Sequence, residues 1–446
     1  MAEEGNQDPF QALVAPISVL DLVRLAVRWC HQHGVEERPL APSGSDGMVW
    51  LRARRQLEDA LDFSEMHPAQ LRDRERARLL QALEDARAAG VPVGAIAYFL
   101  LKALDPLEGC PVARAFEAER REELLPGEVV AVVPATHLKE LFGKDQPLSA
   151  QGHSRGRGLS GFRSFAVLPH LEPPYRVALR FTGEAAMAEL LRRKRIAVLL
   201  PNRLRWEEEF LVEKDDVRSC FSNMRPKDPQ AQRTLIEDAL ARADAAGATV
   251  AILPELSVDS SARAWLPGWL KHNARNIRLL VAGSFHPAPG ESGKFNRCVV
   301  YDSSGAEVAV HHKFNRYCLG ELEEELETTL VLNVIWAGGR PFSVMICKDV
   351  LDAGAQHILQ ELRLHWLYVP ALSGKTDPFQ AGLPNIAQTI TVVANYPGTP
   401  DPEPHAAIAA LPLRRTPLVT ASLPARTPGV FLLQFDDFPL RWQLMS

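Results

Sequence analysis

The chain has 446 residues, a formal net charge of −5 and 46% hydrophobic residues, enough apolar material for a sizeable core and, at this length, for two domains. So small a net charge offers no general attraction to nucleic acid or to an anionic membrane surface, and no apolar run reaches membrane-spanning length. The six cysteines show no C-x-x-C or other close pairing, and the opening MAEEGNQDPF is acidic and polar, unlike a secretory or transit peptide, so a reducing, cytoplasmic setting is expected.

Residues 1–10 read as disordered. Over residues 17–33, Val19, Leu22, Val23, Ala26 and Val27 recur at helical spacing, and Gly34 supplies a stop. A polar loop with Pro42, Gly44 and Gly47 follows. Residues 68–89 form a second predicted helix with Arg and Glu on one face and Leu on the other, and residues 95–104 a shorter apolar one. Their charges read as solvated faces rather than a ligand site. EVVAVVP (128–134) and YRVALRFTG (175–183) read as strands. The loop at 149–161 between them holds Gly156, Gly158 and Gly161 as G-x-G-x-x-G. A phosphate cradle needs a strand before that motif and a helix after it, whereas polar QGHSR precedes and FRSFAVLP follows. It is therefore read as a basic loop. Residues 1–190 are expected to be a smaller, mostly helical α+β domain, through which a homo-oligomer or a protein partner would be engaged.

The boundary is expected at 190/191, where LLRRKR closes a helix and IAVLLP opens a strand. The basic run complements the helix dipole there and needs no nucleic acid to explain it. In residues 191–446 strand and helix alternate, the pattern of a layered α/β domain. An amphipathic helix at 228–246 leads into TVAILPEL, a second at 265–275 leads into LLVAGSFH, and EVAVHHKF follows. PFSVMICKDVLDAGAQHILQELRLHWLYVPALS (341–373) then reads as strand, turn, helix, strand.

Three of these strands end in chemistry. Glu255 closes one, where desolvation lifts a carboxyl toward a useful base; Lys313 closes another as a cation. Cys347 sits where a strand meets a helix, and the oriented N–H groups of a helix start favour a low-pKa thiol nucleophile. On its own stretch, Cys347 reads equally as a buried free cysteine. The remaining candidates are weaker. His311 and His312 are neighbours on a strand and point to opposite faces, a poor metal pair. His357 and His365 lack supporting ligands, and Cys318 lacks a base. No metal and no cofactor is expected.

The joint order of these pieces resembles the carbon–nitrogen hydrolases of the nitrilase superfamily. Pro254-Glu255 looks like that family's strand-end glutamate. Phe295-Asn296 with Asp302 and Gly305 looks like its Y-N-x-x-x-x-x-D-x-x-G hairpin. Lys313 looks like the family lysine, and Ile346-Cys347-Lys348-Asp349 like its I-C-x-D elbow. LYVPALS (367–373) and VVAN (392–395) resemble two later core strands, so the likeness spans residues 195–395. It implies a four-layer α-β-β-α sandwich and a Glu255–Lys313–Cys347 triad that hydrolyses a small amide or nitrile through a thioester.

In that mechanism Glu255 is the base, and Lys313 with the backbone N–H of Lys348 holds the oxyanion. Glu321, in GELEEELE, is the candidate for a second acid; a solvated helical face would look the same. Asp349 is expected to hold the elbow by hydrogen bonds. Asn296 reads on its own as a turn residue bonding its own backbone. The chain also departs from the family. Lys348 stands where an aromatic residue is usual, which lowers the thiol pKa or favours anionic substrates. After Asn395 the usual glycine-serine loop is missing. The competing reading is a scaffold that senses a small ligand alongside a protein partner.

Overall fold

The computed structural model describes residues 10–35, 46–61, 71–105, 111–131, 162, 164–182, 195–202, 204–215, 217–288, 290–337, 340–386, 389–396, 405–411, 418–422, 428–434 and 441–445. They fall into two compact units. The first takes the described residues up to Arg121 with 125–131 and 162–170; the second takes 122–124 and everything from Leu171 onward.

The first unit is built on helices Val19–Gln32, Asp46–Ala60, Asp73–Ala88, Val93–Ala103 and Pro111–Glu119. Ser18 caps the first of them by accepting from the Asp21 N–H at 3.0 Å, and Gly34 takes the left-handed conformation just past its end, as its sequence position predicts. Leu22, Val23, Ala26 and Cys30 then fall on one buried stripe. The helix Asp46–Ala60 occupies part of what the sequence suggests is a polar loop. Gly47 lies in its first turn, and its buried stripe is only Ala53, Leu57 and Ala60, too thin to stand out against the surrounding charge. Pro42, Gly44, Pro68 and the glycine loop at 149–161 lie outside the described residues.

Strands are numbered in chain order. β1 (Glu123–Leu124) belongs to the second unit; β2 (Val129–Ala131) and β3 (Phe165–Val167) pair antiparallel in the first. The second unit continues with β4 (Arg176–Thr182), β5 (Arg195–Leu200), β6 (Phe210–Asp215), β7 (Cys220–Pro226), β8 (Val250–Ile252), β9 (Leu279–Val281), β10 (Arg297–Asp302), β11 (Glu307–His312), β12 (Cys318–Leu319), β13 (Leu322–Glu324), β14 (Val331–Ala337) and β15 (Arg340–Val344). After these come β16 (Trp366–Leu372), β17 (Ile390–Tyr396), β18 (Ala407–Ala410), β19 (Leu418–Ala421), β20 (Gly429–Gln434) and β21 (Trp442–Met445).

An eight-stranded sheet runs β1-β4-β14-β15-β16-β17-β18-β19, and a seven-stranded one β11-β10-β9-β8-β5-β20-β21; a third sheet runs β12-β13-β7-β6. The two large sheets meet where β17 lies against β5 and β11 against β14. The helices Pro229–Ala245 and Ala262–Asn273 bury Ile236, Leu240, Leu266 and Leu270 with Leu199, Leu280 and Val299 of the seven-stranded sheet. Asp228 accepts from the N–H groups of Gln230 and Ala231 to start the first of these helices, with Pro229 in its opening turn.

The second unit begins before residue 191. β4 pairs in parallel with the whole length of β14, so this strand upstream of the expected boundary is a member of the larger unit's sheet. Among the described residues, no helix is long and apolar enough to cross a membrane.

Candidate active site

β8, β11 and β15 are apolar or half-apolar strands, and the chain beyond each delivers one polar side chain. Beyond β8 the chain continues as Leu253 and Pro254, then turns sharply at Glu255, and Leu256 takes a left-handed φ of 55°. The Ser257 hydroxyl donates to the Pro254 carbonyl at 2.7 Å and fixes that turn. Gly283 comes so close that a Cβ there would lie 2.4 Å from the Pro254 carbonyl oxygen, and its φ is +66°. Glu255 is 2% exposed.

Lys313 follows β11, its N–H donating to the Asn296 carbonyl at 2.8 Å. Its ammonium is buried and donates to Glu255 Oε1 at 2.7 Å and to Glu324 Oε2 at 2.5 Å. Asn296 bridges the same two acids, its Nδ2 lying 2.9 Å from Glu255 Oε1 and 2.9 Å from Glu324 Oε1. That is a correction to its expected role as a turn residue: its side chain spans the site instead of bonding its own backbone.

Cys347 follows β15 and opens a 3₁₀ turn, Cys347–Leu351, with a left-handed φ of 48°. A non-glycine residue held there is strained by about 1–2 kcal/mol, the kind of strain that persists where the surroundings over-determine it. Leu372, at the end of β16, joins the sulfur to the acid. Its carbonyl lies 3.7 Å from Cys347 Sγ, and its N–H donates to Glu255 Oε2 at 3.0 Å. Asp349 locks the elbow from behind. Buried in full, it accepts from the N–H of Asn315 at 2.7 Å, from Phe314 N at 3.2 Å and from His311 Nε2 at 3.1 Å, which ties the elbow to the loop after Lys313.

One expected supporting acid stands elsewhere. Glu321 lies exposed in the turn between β12 and β13, and the acid that reaches Lys313 is Glu324. GELEEELE is a turn and a strand, not a helical face, so the period is two: Leu322 and Glu324 point inward, Glu321 and Glu323 outward. The Lys348 side chain is exposed and aims its Nζ at the Arg316 carbonyl, 3.5 Å away.

His286 carries no signal in the sequence. Buried, it accepts from the Met224 N–H through Nδ1 at 2.8 Å, which leaves the proton on Nε2 to donate to Glu324 Oε1 at 2.9 Å. Tyr317, whose N–H also donates to Glu324 at 3.0 Å, holds its ring 5.5 Å from the Lys313 ammonium. Leu256, Leu372 and Tyr396 make the adjoining apolar cluster, with Tyr317 packed on it.

The electrostatics separate the two acids. Burial raises Glu255, the Glu324 charge raises it further, and Lys313 offsets only part of this. Glu324 is equally buried, but Lys313 and the His286 hydrogen bond outweigh that and hold it at about 2. Burial alone would neutralise Lys313, yet the two carboxylates keep it charged well above its usual range. Burial and the Glu255 charge push the Cys347 thiol up, against the opposing pull of Lys313. The resting sulfur is therefore a thiol, which corrects the low-pKa nucleophile expected at a strand–helix junction.

No protein-family model matches the chain, and no curated protein matches it in sequence. Solved structures do. An amidase from Nesterenkonia sp. is similar at 22% identity over 54% of this chain and 90% of the amidase, with a TM-score of 0.38. A mutant of the Nesterenkonia sp. AN1 amidase in complex with butyramide is similar at 21% identity over 54% and 90%, with a TM-score of 0.40. Another mutant, with the acetamide moiety of fluoroacetamide added covalently at the active-site cysteine, is similar at 21% identity over 55% and 94%, with a TM-score of 0.39. Over about half its length the chain is similar to that amidase, which is itself from the nitrilase superfamily.

Proposed function

We propose that the protein is a cysteine-dependent hydrolase of a non-peptide carbon–nitrogen bond, acting on a small linear amide from the second unit, with the two large sheets and their outer helices forming a nitrilase-type four-layer α-β-β-α sandwich. The observation that carries this reading is the convergence on one backbone residue: Leu372 contacts both Cys347 Sγ and Glu255, while Lys313 holds Glu255 from the other side.

Glu255 takes the Cys347 proton as the sulfur attacks the amide carbonyl carbon. The oxyanion that forms is held by the Lys313 ammonium and the Lys348 N–H. Its collapse breaks the C–N bond, Glu255 gives its proton to the departing nitrogen, and a thioester remains on Cys347. Glu255 then deprotonates a water that attacks the thioester carbonyl; the carboxylic acid leaves and the sulfur regains a proton. Each oxyanion donor supplies about 3–4 kcal/mol to such a transition state. The apolar and aromatic neighbours Leu256, Leu372 and Tyr317 suit an uncharged acyl group. Cys30, Cys220, Cys298, Cys318 and Cys347 are all free, in keeping with a reducing, cytoplasmic setting.

Purified protein mixed with a panel of aliphatic amides and nitriles, and read by intact mass and by ammonia release, tests the reading. An acyl adduct is expected on Cys347, absent from Cys347→Ala. An adduct on another cysteine, or ammonia release that survives Cys347→Ala, would overturn it.

A further inference from the structure

Tyr175 stands just before β4, upstream of the stretch whose motifs resemble the hydrolases, yet its side chain reaches the cysteine elbow. Its hydroxyl donates to Asp352 Oδ1 at 2.5 Å. Asp352 follows the turn that Cys347 opens and caps the helix Ala353–Leu362, accepting from the Ala355 N–H through the same oxygen at 2.9 Å. The Tyr175 ring lies over Gly354, where a Cβ would come within 2.7 Å of Cε2 and 2.9 Å of Oη. Its edge meets Phe314, with ring centroids 6.2 Å apart, and Phe314 is the residue after Lys313 whose N–H donates to Asp349. One buried side chain therefore touches a residue on each of the two segments that carry the proposed sulfur and amine, Asp352 on one and Phe314 on the other.

We propose that Tyr175 is a positioning residue that fixes the Cys347 elbow against the Lys313 loop, a role supplied by a segment outside the recognisable hydrolase motifs. Cys347 sits at a left-handed φ that its own side chain disfavours, so the turn needs holding at both ends. Asp349 anchors its middle through Phe314 and Asn315; Asp352 anchors its far end through Tyr175. β4 keeps Tyr175 in place: the Arg176 N–H donates to the Leu330 carbonyl at 2.9 Å, and the strand then runs in register with β14. The proposal rests on Cys347 being the nucleophile of the function argued above.

The test compares Tyr175→Phe with wild type in two readouts. The first is the rate of Cys347 alkylation by iodoacetamide across pH, mapped by peptide mass, with exposed Cys318 as an internal control. The second is amide turnover split into kcat and KM. Expected are a five- to twenty-fold slower Cys347 alkylation, an unchanged Cys318 rate and a fall in kcat with KM held, all at an unchanged melting temperature. Asp352→Asn, which weakens the same bond from the other end, should reproduce the effect. Cys347 reactivity equal to wild type in both variants, a loss shared by Cys318, or a loss that tracks the melting temperature would overturn the proposal. So would a wild-type Cys347 that iodoacetamide does not modify. If wild type hydrolyses no amide while Cys347 is still alkylated, the functional reading fails and the alkylation comparison still decides on Tyr175.

Discussion

Replacing Glu324 by Gln probes the reasoning most directly, with Glu321→Gln as its control. The Glu324 carboxylate accepts from four donors: Lys313 Nζ and Tyr317 N at Oε2, His286 Nε2 and Asn296 Nδ2 at Oε1. A glutamine fits the space but can accept at only one end. With its oxygen kept toward Lys313, its NH₂ faces the donors of His286 and Asn296, so two hydrogen bonds to a charged group become donor–donor contacts. At roughly 1.5–3 kcal/mol for each such bond, the site loses about 3–6 kcal/mol, and Lys313 loses one of its two counter-charges. If most of this falls on Lys313 as oxyanion donor, acylation slows by about 10²–10⁴-fold, since each 1.36 kcal/mol is tenfold. Single-turnover acylation followed by intact mass is the assay. Glu321→Gln changes an exposed turn residue and should leave the rate within two-fold of wild type. A Glu324→Gln rate within three-fold of wild type, or an equal loss in Glu321→Gln, would refute the assignment of Glu324 as the second acid.

Glu255→Gln should be inactive in acylation and less stable than wild type at pH 7, because the carboxyl that burial raises accepts from Lys313 and Asn296 at one oxygen and from the Leu372 N–H at the other, and an amide can accept at only one. In the wild type the same raised carboxyl must be ionised to act as base, so the acid limb of kcat/KM should have its midpoint above 4.5. Glu324 is the opposite case: its contribution is present above 4.5 and is lost as pH falls through about 2, so urea unfolding across that window should show a slope of up to about 3 kcal/mol that Glu324→Gln lacks. Gly283→Ala should destabilise the protein by about 2–4 kcal/mol in urea unfolding and slow acylation by displacing the Glu255 turn, because the new Cβ meets the Pro254 carbonyl at a left-handed φ.

The proposed triad is legible in the sequence because each member ends an apolar run, and a strand's end is where a polar side chain can be delivered without burying an unpaired backbone. The partners are less legible because they depend on which face of a short strand points inward. Glu324 and Glu321 are equivalent in composition, and only the two-residue period of β13, set by a tight turn at Gly320 and Glu321, separates them. His286 and Asn296 act through pairings between distant strands that no local pattern encodes. Tyr175 lies in a stretch readable as a strand, but its partner Asp352 is far along the chain, and only the parallel pairing of β4 with β14 brings them together. The helix Asp46–Ala60 escapes notice for a different reason: its buried face is Ala53, Leu57 and Ala60, and alanine marks a core stripe weakly.

The surplus of negative charge explains why one lysine is flanked by two carboxylates. In the proposed reaction Glu255 becomes neutral as it takes the proton of Cys347, and a buried Lys313 whose sole carboxylate was Glu255 would then have only the sulfur anion as counter-charge in a low-dielectric site, which favours loss of its own proton. Glu324, held ionised by Lys313, His286, Asn296 and Tyr317, prevents that. The transfer moves one negative charge from Glu255 to the sulfur and leaves the Lys313–Glu324 pair intact, so the ammonium is still charged when the oxyanion forms. Asn296 fits the same logic, because its amide donates to both acids and keeps Glu255 oriented whether or not it carries the proton. On this account the acid that never changes protonation state matters to the reaction as much as the one that does.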